Sequence, residues 1–296
     1  MNLGAVLIAA GSNTNPMHPS GEITVAQRMI ASLQKAGVTM IAVVTGPEDK
    51  KMEKQLAQYG VYFLQNPQPE REDISIRMGL EYVAGKCERI FLMETDRPLV
   101  SPDTLMALNE CREDFAVPVY RGVPGQPLML ASCGIGAYME ASCVAELMER
   151  LRPAECAVED PGVVLTAEEA SWQAGLIAAH ERKLTRLIPA FSITRGKTLV
   201  DGKMVVLLRL IRETQSVRDA CTRMQISYST AWNLLNGAEE ALGYPLILRN
   251  KGGPSGSGSL LTEKGDALLA ACDQFETAVR ENLDVLYGKY LQDILS

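Results

Sequence analysis

Short apolar runs alternate with amphipathic stretches from the N-terminus to about residue 182. The runs at 5–9, 40–45, 62–64, 90–94, 116–119 and 128–131 have the length and the Val/Ile/Leu-rich make-up of strands. Between them, 22–36, 48–59, 74–84, 102–111 and 139–151 place apolar residues at helical spacing. Alternating helices and continuously apolar strands predict an α/β fold with a mostly parallel sheet covered on both faces.

Beyond residue 183 the pattern changes. A helix is predicted over 204–213, with Val205, Leu208 and Ile211 on one face. Ser216 then caps a short helix ending near Met224, and Ser227 caps a longer one running to Leu242. Short helix, tight turn and longer helix form a helix-turn-helix, whose second helix enters the DNA major groove. "PLILR" reads as a strand, "NKGGPSGSGS" as a tip and "LLT" as the returning strand, which together make a wing; an unstructured Gly/Ser linker is the other reading. The stretch 262–290 repeats apolar residues at Leu268, Cys272, Phe275, Val279, Leu283, Leu286 and Tyr290. That stripe serves either as a dimer seam or as packing against its own domain.

Charge separates the two parts further. The chain carries −7 overall, but residues 195–264 carry +4 and the remainder −11. A basic block within an acidic protein points to a local polyanionic partner. The seven cysteines are scattered with no C-x-x-C pair, as expected of reduced, mostly buried thiols. Neither a long apolar run nor a basic-then-apolar leader marks the chain for a membrane or for export, so a cytoplasmic protein is expected.

Three loops at predicted strand ends carry the candidate chemistry, since ligands of such sheets bind outside the carboxyl ends of the strands. In "IAAGSNTNPM", Gly11 permits a tight turn that lets the amides of Ser12, Asn13 and Thr14 face an anion; a plain strand–helix turn is the simpler reading. In "FLMETDRPLVSPDTLMAL", Asp96 is either a ligand for nucleotide-bound Mg²⁺ or a turn cap. In "VYRGVPGQPLMLAS", two Gly and two Pro prescribe a rigid turn bearing Gln126, or a simple hairpin loop.

In this order the stretches "IAAGSNTNPM", "LQNPQPEREDISIRMGL", "METDRPLV" and "RGVPGQPLML" resemble the MobA-like molybdenum-cofactor nucleotidyltransferases and related cytidylyltransferases. The resemblance spans residues 1–182 and implies a Rossmann-like nucleotidyltransferase sheet. It implies nucleotide contacts at Ala10, Gly11, Ser12, Asn13, Asn15, Asn66, Ser75 and Gln126, and a residual catalytic or Mg²⁺ role for Asp96 with Arg97 beside it. It also marks departures. Asn15 falls near the position of the family's loop Arg, and "HPSGEI" holds no loop Lys. Gln126 replaces a His, and "DPGVVLTAEEA" lacks an acidic pair before Thr166. Phosphoryl-type transfer depends on positioning and charge neutralisation, so these losses predict weak or absent catalysis.

Residues 183–296 resemble the DNA-binding domain of ModE-type regulators, related to LysR-type winged helices. The markers are "ETQSVRDA", "ISYSTAWNLLN", the Gly-rich wing and "LLTEKGDALL". This implies a mainly helical winged helix-turn-helix domain with a terminal dimerisation helix. DNA contacts are expected from Arg218, Ser227, Tyr228, Ser229, Thr230, Asn233, Arg249 and Lys251, while Trp232 and Leu235 are expected in the core. The combined expectation is a dimeric regulator of double-stranded DNA linked to molybdenum-cofactor metabolism. Its N-terminal domain would sense a nucleotide (CTP or GTP, with Mg²⁺) or a molybdopterin ligand. The alternative is an active cytidylyl- or guanylyltransferase carrying a regulatory winged helix.

Overall fold

The structure, a computed structural model, describes residues 2–11, 15–184, 191–249 and 259–291. Its contacts divide it into two compact units, Met1–Thr185 and Arg186–Ser296.

The first unit runs β1 (Leu3–Ile8), β2 (Pro19–Ser20), β3 (Ile23–Thr24), α1 (Val25–Lys35), β4 (Met40–Thr45), α2 (Lys50–Leu56), β5 (Tyr62–Gln65) and α3 (Glu72–Ala84). It continues with β6 (Arg89–Glu94), α4 (Pro102–Glu110), β7 (Phe115–Tyr120), β8 (Val123–Pro124), β9 (Leu128–Ala131), α5 (Ile135–Tyr138) and α6 (Val144–Leu151). It ends with β10 (Ala154–Ala157), α7 (Ala167–Ser171) and α8 (Ala174–Lys183). The main sheet has the order β10-β7-β9-β6-β1-β4-β5, with β8 pairing on β7. The pairs β1–β4, β1–β6, β4–β5 and β7–β10 are parallel, whereas β9 is antiparallel to both β6 and β7.

Both faces of this sheet are covered, which is why its strands lack polar alternation. Ala5 and Leu7 of β1 pack with Met29, Ile30 and Leu33 of α1 and with Leu105 of α4. Val6 and Ile8 point the other way, onto Ile76, Leu80 and Val83 of α3. Gly79 lets α3 approach closely, because a Cβ there would stand 2.2 Å from Val6 Cγ1. The helix predicted over 139–151 begins only at Val144, after the separate turn α5. The Ser142 N–H and hydroxyl both donate to Glu146, which holds residue 142 outside the helix. Three of the seven cysteines are buried, three are half-buried and Cys133 is exposed, so the thiols are less buried than composition suggests.

The second unit opens with a hairpin absent from the sequence reading, β11 (Ser192–Arg195) with β12 (Lys197–Asp201). It continues with α9 (Gly202–Thr214), α10 (Val217–Met224), α11 (Tyr228–Leu242), β13 (Ile247–Arg249), β14 (Ser259–Leu261) and α12 (Glu263–Tyr290). β13 and β14 pair antiparallel from Ile247↔Leu261 to Arg249↔Ser259. The tip between them lies outside the described residues. Its core gathers Leu207, Leu208 and Ile211 of α9 with Leu235 of α11 and Leu269 of α12, all buried. Among the described residues, no helix is long and apolar enough to cross a membrane.

Candidate functional site

Parallel pairing places the carboxyl ends of β5, β4, β1 and β6 on one edge of the sheet. Four cross-strand bonds knit that edge. Ala9 N–H donates to Val44 O (2.9 Å), Asn66 N–H to Thr45 O (2.8 Å), and both the amide and the hydroxyl of Thr95 to Ile8 O. Asp96 and the Gly11 loop therefore leave adjacent strands at the same edge. Gly11 has φ 103°, a conformation that favours glycine, and the carbonyl of Pro69 lies 3.1 Å from where its Cβ would be. Ala10 is buried beside it. Ser12 and Asn13, like Thr14, lie outside the described residues. Asn15 is exposed and its carbonyl accepts from His18 N–H (3.1 Å), so it closes a turn leading towards α1.

Asn66 and Ser75 meet as a buried pair. Asn66 Nδ2 donates to Ser75 Oγ (2.9 Å) and to Arg71 O (3.1 Å), while its Oδ1 accepts from Gln68 N–H (2.8 Å). Their polar groups thus hold the loop after β5 in shape.

Gln126 arrives because β9 is antiparallel: its amino end lies where β6 ends. Arg121 and Gly122, both with positive φ, form the two-residue turn between β7 and β8, so this stretch contains the simple hairpin as well as the rigid turn. The Gln126–Pro127 bond is cis. Gln126 grips Glu94 twice: its Nε2 donates to Glu94 Oε2 and its Oε1 accepts from Glu94 N–H, both at 2.9 Å. The sequence reading missed Glu94, although the spacing in "ETD" places it on the same strand face as Asp96.

The segment after β10 supports the same edge. Asp160 Oδ2 accepts from Ser101 N–H (2.9 Å) and from the Thr104 hydroxyl (2.6 Å), and Oδ1 accepts from Gly162 N–H (2.9 Å). A Cβ on Gly162 would lie 2.0 Å from Leu99 O, and one on Gly125 2.2 Å from Val163 O. Residues 97–101, 125–127 and 160–163 are accordingly packed backbone to backbone next to the strand end that carries Asp96.

Asp96 sits in this frame with one carboxylate oxygen, Oδ2, 3.1 Å from Arg97 NH1. The pair lacks hydrogen-bond alignment, and Asp96 Oδ1, Arg97 Nε and Arg97 NH1 are buried atoms with no hydrogen-bond partner. Burial pushes the Asp96 carboxyl up to about 6, opposed by Arg97 and assisted by the negative charge of Glu94. Burial, with Glu94 as a lesser cause, also raises Glu72, whose carboxylate caps Val144 N–H. Glu169 accepts from the amide and hydroxyl of Thr166, which holds it below the usual carboxylate range; Arg97 adds to this. Among the described residues, no group of three or more His, Cys, Asp or Glu is placed to hold a metal ion.

Arg28, the first cation after the Gly11 loop, does not face that loop. It is fully buried, donating to Ser20 O and to Glu181 Oε1 (2.6 Å), with NH1 3.3 Å from His180 Nδ1. Arginine can only donate, so Nδ1 accepts and the proton of neutral His180 resides on Nε2, directed at Val100 O (3.0 Å). Burial, with Arg28 as a lesser cause, lowers the His180 pKa. This network ties α8 to α1 and was not legible in the sequence.

In the second unit, Ser216 accepts from Asp219 N–H and caps α10, and Ser227 accepts from Thr230 N–H (3.1 Å) and caps α11. The Ser227 hydroxyl lies 2.9 Å from that of Ser229 and 2.7 Å from that of Thr230. Ser227, Tyr228, Ser229, Thr230 and Asn233 are all exposed, while Ala231, Leu235 and Ala238 form the buried face. Trp232 corrects the expectation of a core residue: it is half-buried and meets the exposed Tyr228 edge-on at 5.9 Å. The small Ala231 and Ala238 fill the inner face of α11 and leave the indole beside it. Arg218 is exposed on α10. Arg249 ends β13, and Lys251 lies outside the described residues. At the base of the β13–β14 hairpin, Thr262 caps α12 and its hydroxyl donates to Pro245 O (2.9 Å). Along α12 from its middle to its C-terminal end, Phe275, Val285, Leu286 and Tyr290 are exposed.

Residues 11–156 match the family described as "MobA-like NTP transferase domain". Among curated proteins, the molybdenum-pterin-binding protein MopA of Rhodobacter capsulatus is 33% identical over 103 residues, 34% of this chain and 39% of that protein. The transcriptional regulator ModE of Haemophilus influenzae is 32% identical over 87 residues, 29% of this chain and 34% of the regulator. The chain thus spans little more than a third of the length of these relatives. Among solved structures, a nucleotidyl transferase from Methanothermobacter aligns with TM-score 0.49 and 19% identity, over 62% of this chain and 98% of its own. Residues 11–156 are thus similar to MobA-like NTP transferase domains, and the C-terminal region is similar to ModE and MopA.

Proposed function

We propose that this protein is a molybdenum-linked transcriptional regulator. In this reading the second unit binds duplex DNA as a homodimer, and the first receives a nucleotide or molybdopterin-type ligand as a sensor. The observation that carries it is the exposed polar face at the start of α11. Ser229, Thr230 and Asn233 project from the first turns of a capped helix, where a recognition helix meets base edges. Homology of this region to ModE, a transcriptional regulator, supports the reading. The apolar face of α12 supports pairing of two copies on a two-fold operator.

The test is binding of full-length protein to labelled genomic fragments near molybdenum genes across a salt series. Asn233→Ala is expected to relax base preference at one step of each half-site, costing about 1–3 kcal/mol for a bidentate contact. Lys251→Ala is expected to weaken all sequences equally and to flatten the salt dependence. If neither substitution changes binding, the second unit is not a DNA reader.

A second reading, an active cytidylyl- or guanylyltransferase, draws on the unpartnered oxygen of Asp96 at the strand end. Assays with CTP or GTP and molybdopterin decide it: turnover abolished by Asp96→Ala supports transfer, and little nucleotide attachment supports a sensor.

A further inference from the structure

The acidic residues around the carboxyl edge of the first sheet are already committed to protein donors. Glu94 is held by Gln126, Asp160 by Ser101, Thr104 and Gly162, and Glu169 by Thr166. Nearer β4, Asp49 accepts from Gly46 N–H (2.6 Å), and Glu53 accepts from the Thr45 hydroxyl (2.6 Å) and from Gln65. Asp96 remains, and the cation beside it is Arg97. This leaves a divalent ion a single uncommitted carboxylate with a guanidinium against it, and no group of three or more His, Cys, Asp or Glu forms among the described residues, so the protein itself supplies little to hold such an ion.

Arg97 has the opposite deficiency. Its Nε and NH1 are buried without a hydrogen-bond acceptor, NH1 having only a misaligned ion pair with Asp96 Oδ2 at 3.1 Å, and that is costly for a charged donor unless a further anion supplies oxygens. Its position is rigid as well. Pro98 follows it, Leu99 and Val100 are buried, and Gly162 packs directly on the Leu99 carbonyl. A guanidinium fixed at the edge where the Gly11 loop begins, with donors to spare, is suited to phosphate oxygens.

We propose that Arg97 is the anion-binding centre of the first unit and takes a nucleotide phosphate directly, so that binding requires no divalent cation. Asp96 then orients the guanidinium. This rests on the reading of the first unit as a nucleotide receiver and adds to it which residue receives the phosphate and how its charge is neutralised.

The experiment is calorimetric titration of full-length protein with CTP and with GTP, first in EDTA and then in excess Mg²⁺, with inorganic phosphate as a competitor. At least one nucleotide is expected to bind in EDTA, with Mg²⁺ changing its affinity less than threefold. Arg97→Gln is expected to weaken it at least tenfold in both buffers, and Arg97→Lys, which keeps the charge, to recover part of the loss. Competition by phosphate alone identifies the phosphate rather than the base as the group bound at Arg97. Binding that appears only with Mg²⁺ overturns the proposal while leaving the receiver reading intact, and requires no variant to fold. Undiminished binding by folded Arg97→Gln also overturns it. No binding of either nucleotide in either buffer refutes the receiver reading itself.

Discussion

Replacing Asp96 by Asn removes one titrating carboxyl from the frame formed by residues 97–101, 125–127 and 160–163 while nearly conserving shape. Its folded pKa of about 6, against an ordinary 3.8, is raised chiefly by burial. A carboxyl whose folded pKa is raised favours folding while protonated; this contribution is complete below the unfolded pKa and is lost as pH rises through the folded value. A shift of this size corresponds to about 3 kcal/mol between the acid and alkaline limits, of which roughly half is lost by pH 5. Asn does not titrate, and the attraction between ionised Asp96 and Arg97 is already contained in the folded pKa, so any change in packing or hydrogen bonding enters as an offset nearly constant with pH. Chemical denaturation of wild type and Asp96→Asn at intervals from pH 4 to 8 separates the two effects. The variant should gain on the wild type as pH rises, most steeply between pH 4 and 6, with the gap levelling above pH 7. A stability difference that stays flat, or that shifts in favour of the wild type towards alkaline pH, refutes the claim that Asp96 is buried at an unfavourable charge cost.

Gly79→Ala should destabilise the first unit by about 1–3 kcal/mol, because the new Cβ meets Val6 inside a packed helix–sheet contact; an unchanged melting temperature would show that α3 can withdraw freely. His180, whose pKa is lowered mainly by burial, contributes the opposite pH dependence. The unfolded chain takes up its proton first, so stability should fall as pH drops below 6.5, and His180→Gln should remove that part of the slope in the same denaturation series.

The helix caps were readable because their chemistry is local. Ser216 and Ser227 each accept from an amide three residues on, and that geometry needs nothing from the rest of the chain. The strands were readable for a related reason, since a sheet covered on both faces leaves continuous apolar runs whatever its neighbours. Asp96, Arg97 and Gln126 could be named from short motifs, but not what they touch. Gln126 reaches Glu94 across 32 positions, Asp160 reaches Ser101 across 59, and Arg28 reaches His180 across 152. Such partners are chosen by strand order, above all by antiparallel β9, which turns its amino end towards β6. Trp232 was misjudged for the same reason: helical spacing says which residues share a face, and only the packed neighbours decide which face is inward. Sequence alone therefore determined the local elements and the kinds of side chain at the sheet edge. Tertiary structure decided which carboxylates were already occupied, because hydrogen-bond capacity is a property of neighbours in space.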